Sequence, residues 1–203
     1  MMKTSRRATV LAARSSHQRH HIAEAAARLM AQDGLPDYAS AKRKAARQLG
    51  ISDTDALPSD REVESALRTY QALYQKDEQP AHLRDLRQKS LELLDIFRAF
   101  RPYLTGPVLD GTAGKYAEIE LLLYPESPKD VEIFLLNRRQ DYVHQPLRHA
   151  REEANIRLDW KGDEVQLSLY PPQEERIATR NRARAEALAA LLQGPASIET
   201  EIS

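Results

Sequence analysis

The hydrophobic pattern of this chain changes period once. From residue 20 to about residue 101 apolar positions recur every three or four residues, and beyond Pro102 they alternate. A first helix is predicted over residues 20–32, with Ile22, Ala25, Ala26, Leu29 and Met30 on one face, ended by Asp33-Gly34 and Pro36. A second covers 38–49 and stops at Gly50, with a small apolar face of Tyr38, Ala41, Ala45 and Leu49. Ser59 and Glu62 form a capping box that opens a third helix to about residue 76. Its stripe is Val63, Ala66, Leu67, Tyr70, Leu73 and Tyr74. A fourth starts at Pro80 and runs through Leu83, Leu86, Leu91, Leu94, Phe97 and Phe100. Helices of this length are marginal alone, so these stripes must pack on one another or on a sheet.

In the alternating half, residues 108–110 are expected to form a short strand and 117–124 a clear one. Ser127-Pro128 predicts a helix start, carried to about residue 139 by Val131, Ile133, Phe134 and Leu135. Residues 141–144 make another short strand. Segments 155–160 and 164–170 flank Lys161-Gly162-Asp163 as a hairpin. A last helix is expected over 174–192. The fold class is therefore α+β: a helical, bundle-like first part, then a small mixed sheet with a C-terminal helix. The expected organisation is a basic tail over 1–17, an α-helical region over 18–101, an α+β region over 102–194 and a frayed tail over 195–203.

Composition narrows the classes. The chain has 203 residues, 41% hydrophobic and 30% charged, as a globular core requires. It contains no cysteine, which excludes disulfide staples, thiolate zinc sites and thiol nucleophiles. No apolar run approaches the ~18 residues of a membrane span, and MMKTSRRATVLAARSS lacks the apolar core of a signal peptide. The expectation is a cytoplasmic protein without a membrane partner. Neither a phosphate-binding Gly-Lys-Ser/Thr loop, a dinucleotide fingerprint nor a Gly-x-Ser-x-Gly elbow is present.

Net charge is zero but uneven. Residues 1–50 carry ten Lys and Arg against three Asp and Glu, and the remainder carries the opposite imbalance. A nucleic-acid contact is therefore a candidate for Lys42, Arg43, Lys44, Arg47 and the tail, since such contact needs only positive charge near phosphates. Major-groove reading is disfavoured, because the helix after this pair opens with Asp60, Glu62 and Glu64. A protein-interaction role for the long helices stands as a further alternative.

The chemistry-bearing stretch is Ala-Glu-Ile-Glu-Leu. Residues two apart on a strand share a face, so Glu118 and Glu120 project together, with Ile119 and Leu121 behind them. Two adjacent carboxylates repel, and solvent, a cation or a divalent metal must offset that. Metal-assisted phosphoryl transfer uses such a pair to hold magnesium on a triphosphate. A Gly-Thr turn just before the pair, Gly111-Thr112, would let backbone amides approach phosphate.

Strand, Gly-Thr, short loop and Ala-Glu-Ile-Glu-Leu together resemble the core motif of the polymerase-beta-like nucleotidyltransferases, over roughly residues 103–172. That motif is a Gly-Ser turn followed by a strand with two metal-binding aspartates. The resemblance implies Gly111 and Thr112 at the phosphates, and Glu118 and Glu120 on Mg2+. It implies a third carboxylate on a later strand, for which Asp159 and Glu164 are candidates and Gln166 would be a loss. Glutamates stand where the family has aspartates, so the resemblance implies a degenerate active site: a weak or inactive transferase that binds a nucleotide or nucleic acid.

Overall fold

The computed structural model describes residues 3–35, 37–51, 57–76, 78–177 and 181–193, and for residues 3–15 the backbone alone. Pro36, Arg180 and the tail 195–203 lie outside the described residues. The chain divides into two compact units, Met1–Pro80 with Gly114–Tyr116, and Ala81–Ala113 with Ala117–Ser203. The fold class is α+β, and the division falls between Pro80 and Ala81, in the first turn of the fourth helix.

The first unit holds α1 (Lys3–Asp33), α2 (Tyr38–Gln48) and α3 (Asp60–Tyr74). Helix α1 begins at Lys3, so most of the segment expected as a tail is helical. Its residues 3–19 contain neither Gly nor Pro and are rich in Ala and Arg, which favour helix. Asp37 caps α2 by accepting from the Ser40 N–H, and the Ser59/Glu62 capping box opens α3. The core joins Ile22, Ala26, Ala41, Ala45 and Val63, all fully buried. Leu73 and Tyr74, expected on the buried stripe of α3, are instead 66% and 71% exposed. The buried line runs Val63, Leu67, Gln71, four residues apart; at ~100° per residue Leu73 rotates away from it, whereas Tyr74 is the last residue of the helix.

The second unit holds α4 (Gln79–Ile96), β1 (Tyr103–Thr105), α5 (Gly106–Asp110), β2 (Ile119–Leu123), α6 (Pro128–Asn137), β3 (Tyr142–His144), β4 (Ala154–Trp160), β5 (Asp163–Leu169) and α7 (Ala185–Gln193). The sheet order is β1-β2-β5-β4-β3, mixed because β2 and β5 run parallel while the other pairs are antiparallel. One face is apolar: Ile119, Leu121, Leu123, Val165, Leu167, Leu169 and Ile156 are essentially inaccessible. They share one core with Leu86, Leu93 and Leu94 of α4, and with Val131 and Leu135 of α6. Those seven sheet side chains alone account for about 10–20 kcal/mol of transfer free energy before conformational entropy opposes it.

Two expectations are corrected here. Residues 108–110 are not a strand. They lie in the short helix α5, begun by Pro107 at its first turn and ended by Gly111 at φ 83°. Val108-Leu109-Asp110 is too short to show either period, whereas the flanking Gly106-Pro107 and Gly111 fix the backbone. The guanidinium of Arg87 then donates to the Val108 and Leu109 carbonyls at 3.0 Å each, holding α5 on α4.

The predicted helix over 174–192 is also cut. A 3-10 turn covers Pro172–Arg176, and α7 begins only at Ala185. Between them Ala183 pairs with Leu104 through both backbone bonds, at 2.8 and 2.9 Å, covering the edge of β1. Arg182 fixes this segment by stacking 4.1 Å over Tyr103 and donating to the Tyr124 hydroxyl at 2.7 Å. Burial raises the pKa of Tyr124 above its ordinary value, with Arg182 pulling the other way.

Candidate functional site: the polar face of the sheet

The opposite face of the same sheet is polar, and strand register decides which residues meet there. Thr105, Glu120, Gln166 and Arg157 form one row across β1, β2, β5 and β4. Directly opposed residues point to the same side, so these four side chains share a face. Glu118, Glu164 and Asp159, each two residues away, fall in the adjoining row. Glu120 projects from β2 to this side and Glu118 stands just before the strand, while Ile119 and Leu121 fill the core.

The residue that meets Glu120 is Gly106. It stands at the turn from β1 into α5 with φ 71°, and a Cβ built there would lie 2.8 Å from Glu120 Cδ and 3.0 Å from each carboxylate oxygen. Only glycine combines that backbone with room for the carboxylate. Gly111 and Thr112 occupy a different place. Their N–H groups donate to the Pro107 carbonyl at 2.9 and 3.0 Å, closing α5, and Thr112 is buried. Those two amides are therefore spent inside the fold.

A cation already faces Glu118. Arg148, in the loop between β3 and β4, places Nη2 at 3.3 Å from Glu118 Oε2 and 3.2 Å from Gln166 Oε1. The Gln166 amide is nearly inaccessible, and its Nε2 donates to the Ile156 carbonyl at 3.4 Å, turning Oε1 toward the arginine. The loop is anchored by Glu152, whose carboxylate is buried. It accepts from the Arg148 N–H at 2.5 Å, the His149 N–H at 3.3 Å and Asn155 Nδ2 at 3.1 Å. A carboxylate buried among donors in this way holds a loop strongly, since losing them leaves an unsatisfied charge.

Asp159 stands at the far end of β4, opposite Glu164, and its Oδ1 accepts from the Gly162 N–H at 3.2 Å in the β4–β5 turn. Glu164 pairs with Arg157 at 2.7 Å. The position beside Glu120 on the neighbouring strand belongs to Gln166. Among the described residues, no group of three or more His, Asp or Glu side chains stands together as a metal site. The donor set does not fit magnesium held by carboxylates: the third position is an amide, and a guanidinium contacts one of the two carboxylates.

On α2, Lys42 pairs with Asp60 at 2.7 Å and Lys44 with Asp33 at 3.1 Å. Arg43 donates to the Ser40 hydroxyl at 3.2 Å, and Arg47 is exposed. The structure thus brings Glu118, Glu120 and Gln166 together. It places Asp159 at the end of β4, and Gly111 and Thr112 at the close of α5; of the four basic residues, Lys42 and Lys44 are in ion pairs while Arg43 and Arg47 are exposed. Comparison with family models, with curated proteins and with solved structures finds no match to this chain.

Sequence reasoning missed Gly106, Arg148 and Glu152. Gly106-Pro107 carries a readable signal, a positive-φ residue followed by a helix-opening proline. Arg148 and Glu152 carry none, because a loop arginine acquires its partners only when two strands far apart in sequence become neighbours.

Proposed function

We propose that residues 102–194 form a nucleotidyltransferase-like module that binds a nucleotide at the polar face of its sheet and is weak or inactive as a transferase. The observation supporting this is the arrangement of the strand–Gly106–helix turn against Glu120, with the partly exposed Glu118 two residues away. On the face away from α4 and α6, Leu122, Asn155 and Ser168 are buried, and the end beside Glu118 and the half-exposed Arg148 is where a ligand would meet the sheet. Arg148 offers the contact for phosphate: its side chain is 43% exposed, and Nη2 alone serves both Glu118 and Gln166. A guanidinium carries five N–H donors in a planar fork suited to phosphate oxygens. The amide at position 166 and the arginine at Glu118 argue for binding without efficient metal-assisted transfer.

Calorimetry with each nucleoside triphosphate, in magnesium and again in chelator, tests this. The expected result is binding of similar strength in both conditions, lost in Arg148→Gln while the circular dichroism spectrum is unchanged. No binding in either condition, or rapid release of pyrophosphate on addition of magnesium, overturns it.

A further inference from the structure

We infer that Arg148 is the resident counter-cation at the glutamate pair, held on Glu118, and that Gln166 sets this choice by selecting a guanidinium of the same chain over a divalent ion. Three observations carry it. Arg148 Nη2 touches Glu118 and Gln166 together, at 3.3 and 3.2 Å. Gln166 is 3% exposed and anchored through Nε2 to the Ile156 carbonyl, so its oxygen is a fixed, neutral acceptor aimed at the guanidinium. The loop that delivers Arg148 is itself built, with the buried Glu152 carboxylate accepting from the Arg148 and His149 backbone N–H groups and from Asn155.

The electrostatics of the row follow from these contacts. A hydrated divalent ion needs several oxygen ligands and enough negative charge to offset its dehydration. Here one of the two carboxylates, Glu118, is met by an arginine, and the neighbouring strand contributes an amide whose oxygen is already taken. A glutamate at position 166 would add a third negative charge at the same place in the row. The amide removes that charge while keeping a hydrogen-bond acceptor of the same length. Arg148 and Gln166 are therefore specificity-determining residues for the cation, and Glu152 is a positioning residue acting through the loop.

This rests on the polar face being the ligand face, but it requires no nucleotide, so its test uses Mn2+ alone. Binding is followed on the full chain by the Mn2+ paramagnetic resonance signal. The expected result is dissociation constants in the millimolar range for the natural sequence, at least threefold tighter binding in Arg148→Gln, and at least tenfold tighter in Arg148→Gln/Gln166→Glu. Micromolar Mn2+ binding by the natural sequence overturns the inference, as does Arg148→Gln binding no tighter than the natural sequence. Should the buried Gln166→Glu change unfold the second unit, the exposed Arg148→Gln variant decides alone. A failure of nucleotide binding leaves these Mn2+ results unchanged, so the two outcomes are separable.

Discussion

Replacing Gly106 by alanine offers the most direct check on how the glutamate pair is seated. The backbone at this position has φ 71°, in the left-handed region. A residue with a Cβ pays about 1–2 kcal/mol there, whatever surrounds it. The added methyl would also stand 2.8 Å from Glu120 Cδ and 3.0 Å from both oxygens. Those atoms end a flexible side chain, so the carboxylate moves instead of the backbone, at about 0.5–1.5 kcal/mol for an off-rotamer side chain. The total expected for Gly106→Ala is about 1.5–3.5 kcal/mol.

A double-mutant cycle separates the two contributions. In a Glu120→Ala background the collision is gone and the backbone cost remains, so Gly106→Ala should fall to about 1–2 kcal/mol. The coupling expected is about 0.5–1.5 kcal/mol, the off-rotamer contribution itself. Urea unfolding followed by the fluorescence of Trp160, the single tryptophan and a residue of β4, reports on this unit. An equal cost in both backgrounds, or a neutral Gly106→Ala, would show that the Glu120 carboxylate does not lie against this turn.

The remaining predictions concern the first unit. The Ser59 N–H and hydroxyl hold the Glu62 pKa below its ordinary value. Because the folded value is lowered, this contribution is fully present above about pH 4.5 and is lost as pH falls through the folded pKa. Glu62→Gln should flatten the acid side of the helical-stability profile measured by circular dichroism, and a profile unchanged between the two proteins refutes the assignment. Ser59→Ala should cost about 1 kcal/mol at neutral pH through loss of the cap. For α2, the two lysines already held in ion pairs leave Arg43 and Arg47 to meet phosphate. Any RNA or DNA binding through this face should therefore weaken with salt at a log–log slope no steeper than about −2. A slope near −4 would show that Lys42 and Lys44 leave their partners to bind.

Much of the fold was legible because period and punctuation act locally. The capping box at Ser59, the Ser127-Pro128 start of α6 and the turn at Lys161-Gly162 are each decided by a few adjacent residues, and each lies where its signal places it. The alternation at Glu118–Ile119–Glu120–Leu121 likewise assigned those glutamates to one face, since side chains on any strand alternate. Local signals also misplaced elements where a distant partner decided. Leu104 captured Ala183 as a strand-like bridge, so the last helix was shortened at its start. Gly111-Thr112 was spent closing α5, whereas Gly106 came to lie against Glu120.

The sequence by itself determined the α+β class, the helix caps and the projection of Glu118 beside Glu120. Only the tertiary structure decided what those carboxylates face. The parallel pairing of β2 with β5 sets Gln166 next to Glu120, and the β3–β4 loop brings Arg148 across to Glu118 from 30 residues away. Periodicity encodes which side of a strand a residue occupies. The neighbour on the next strand is set by register between distant segments, and no local pattern records it.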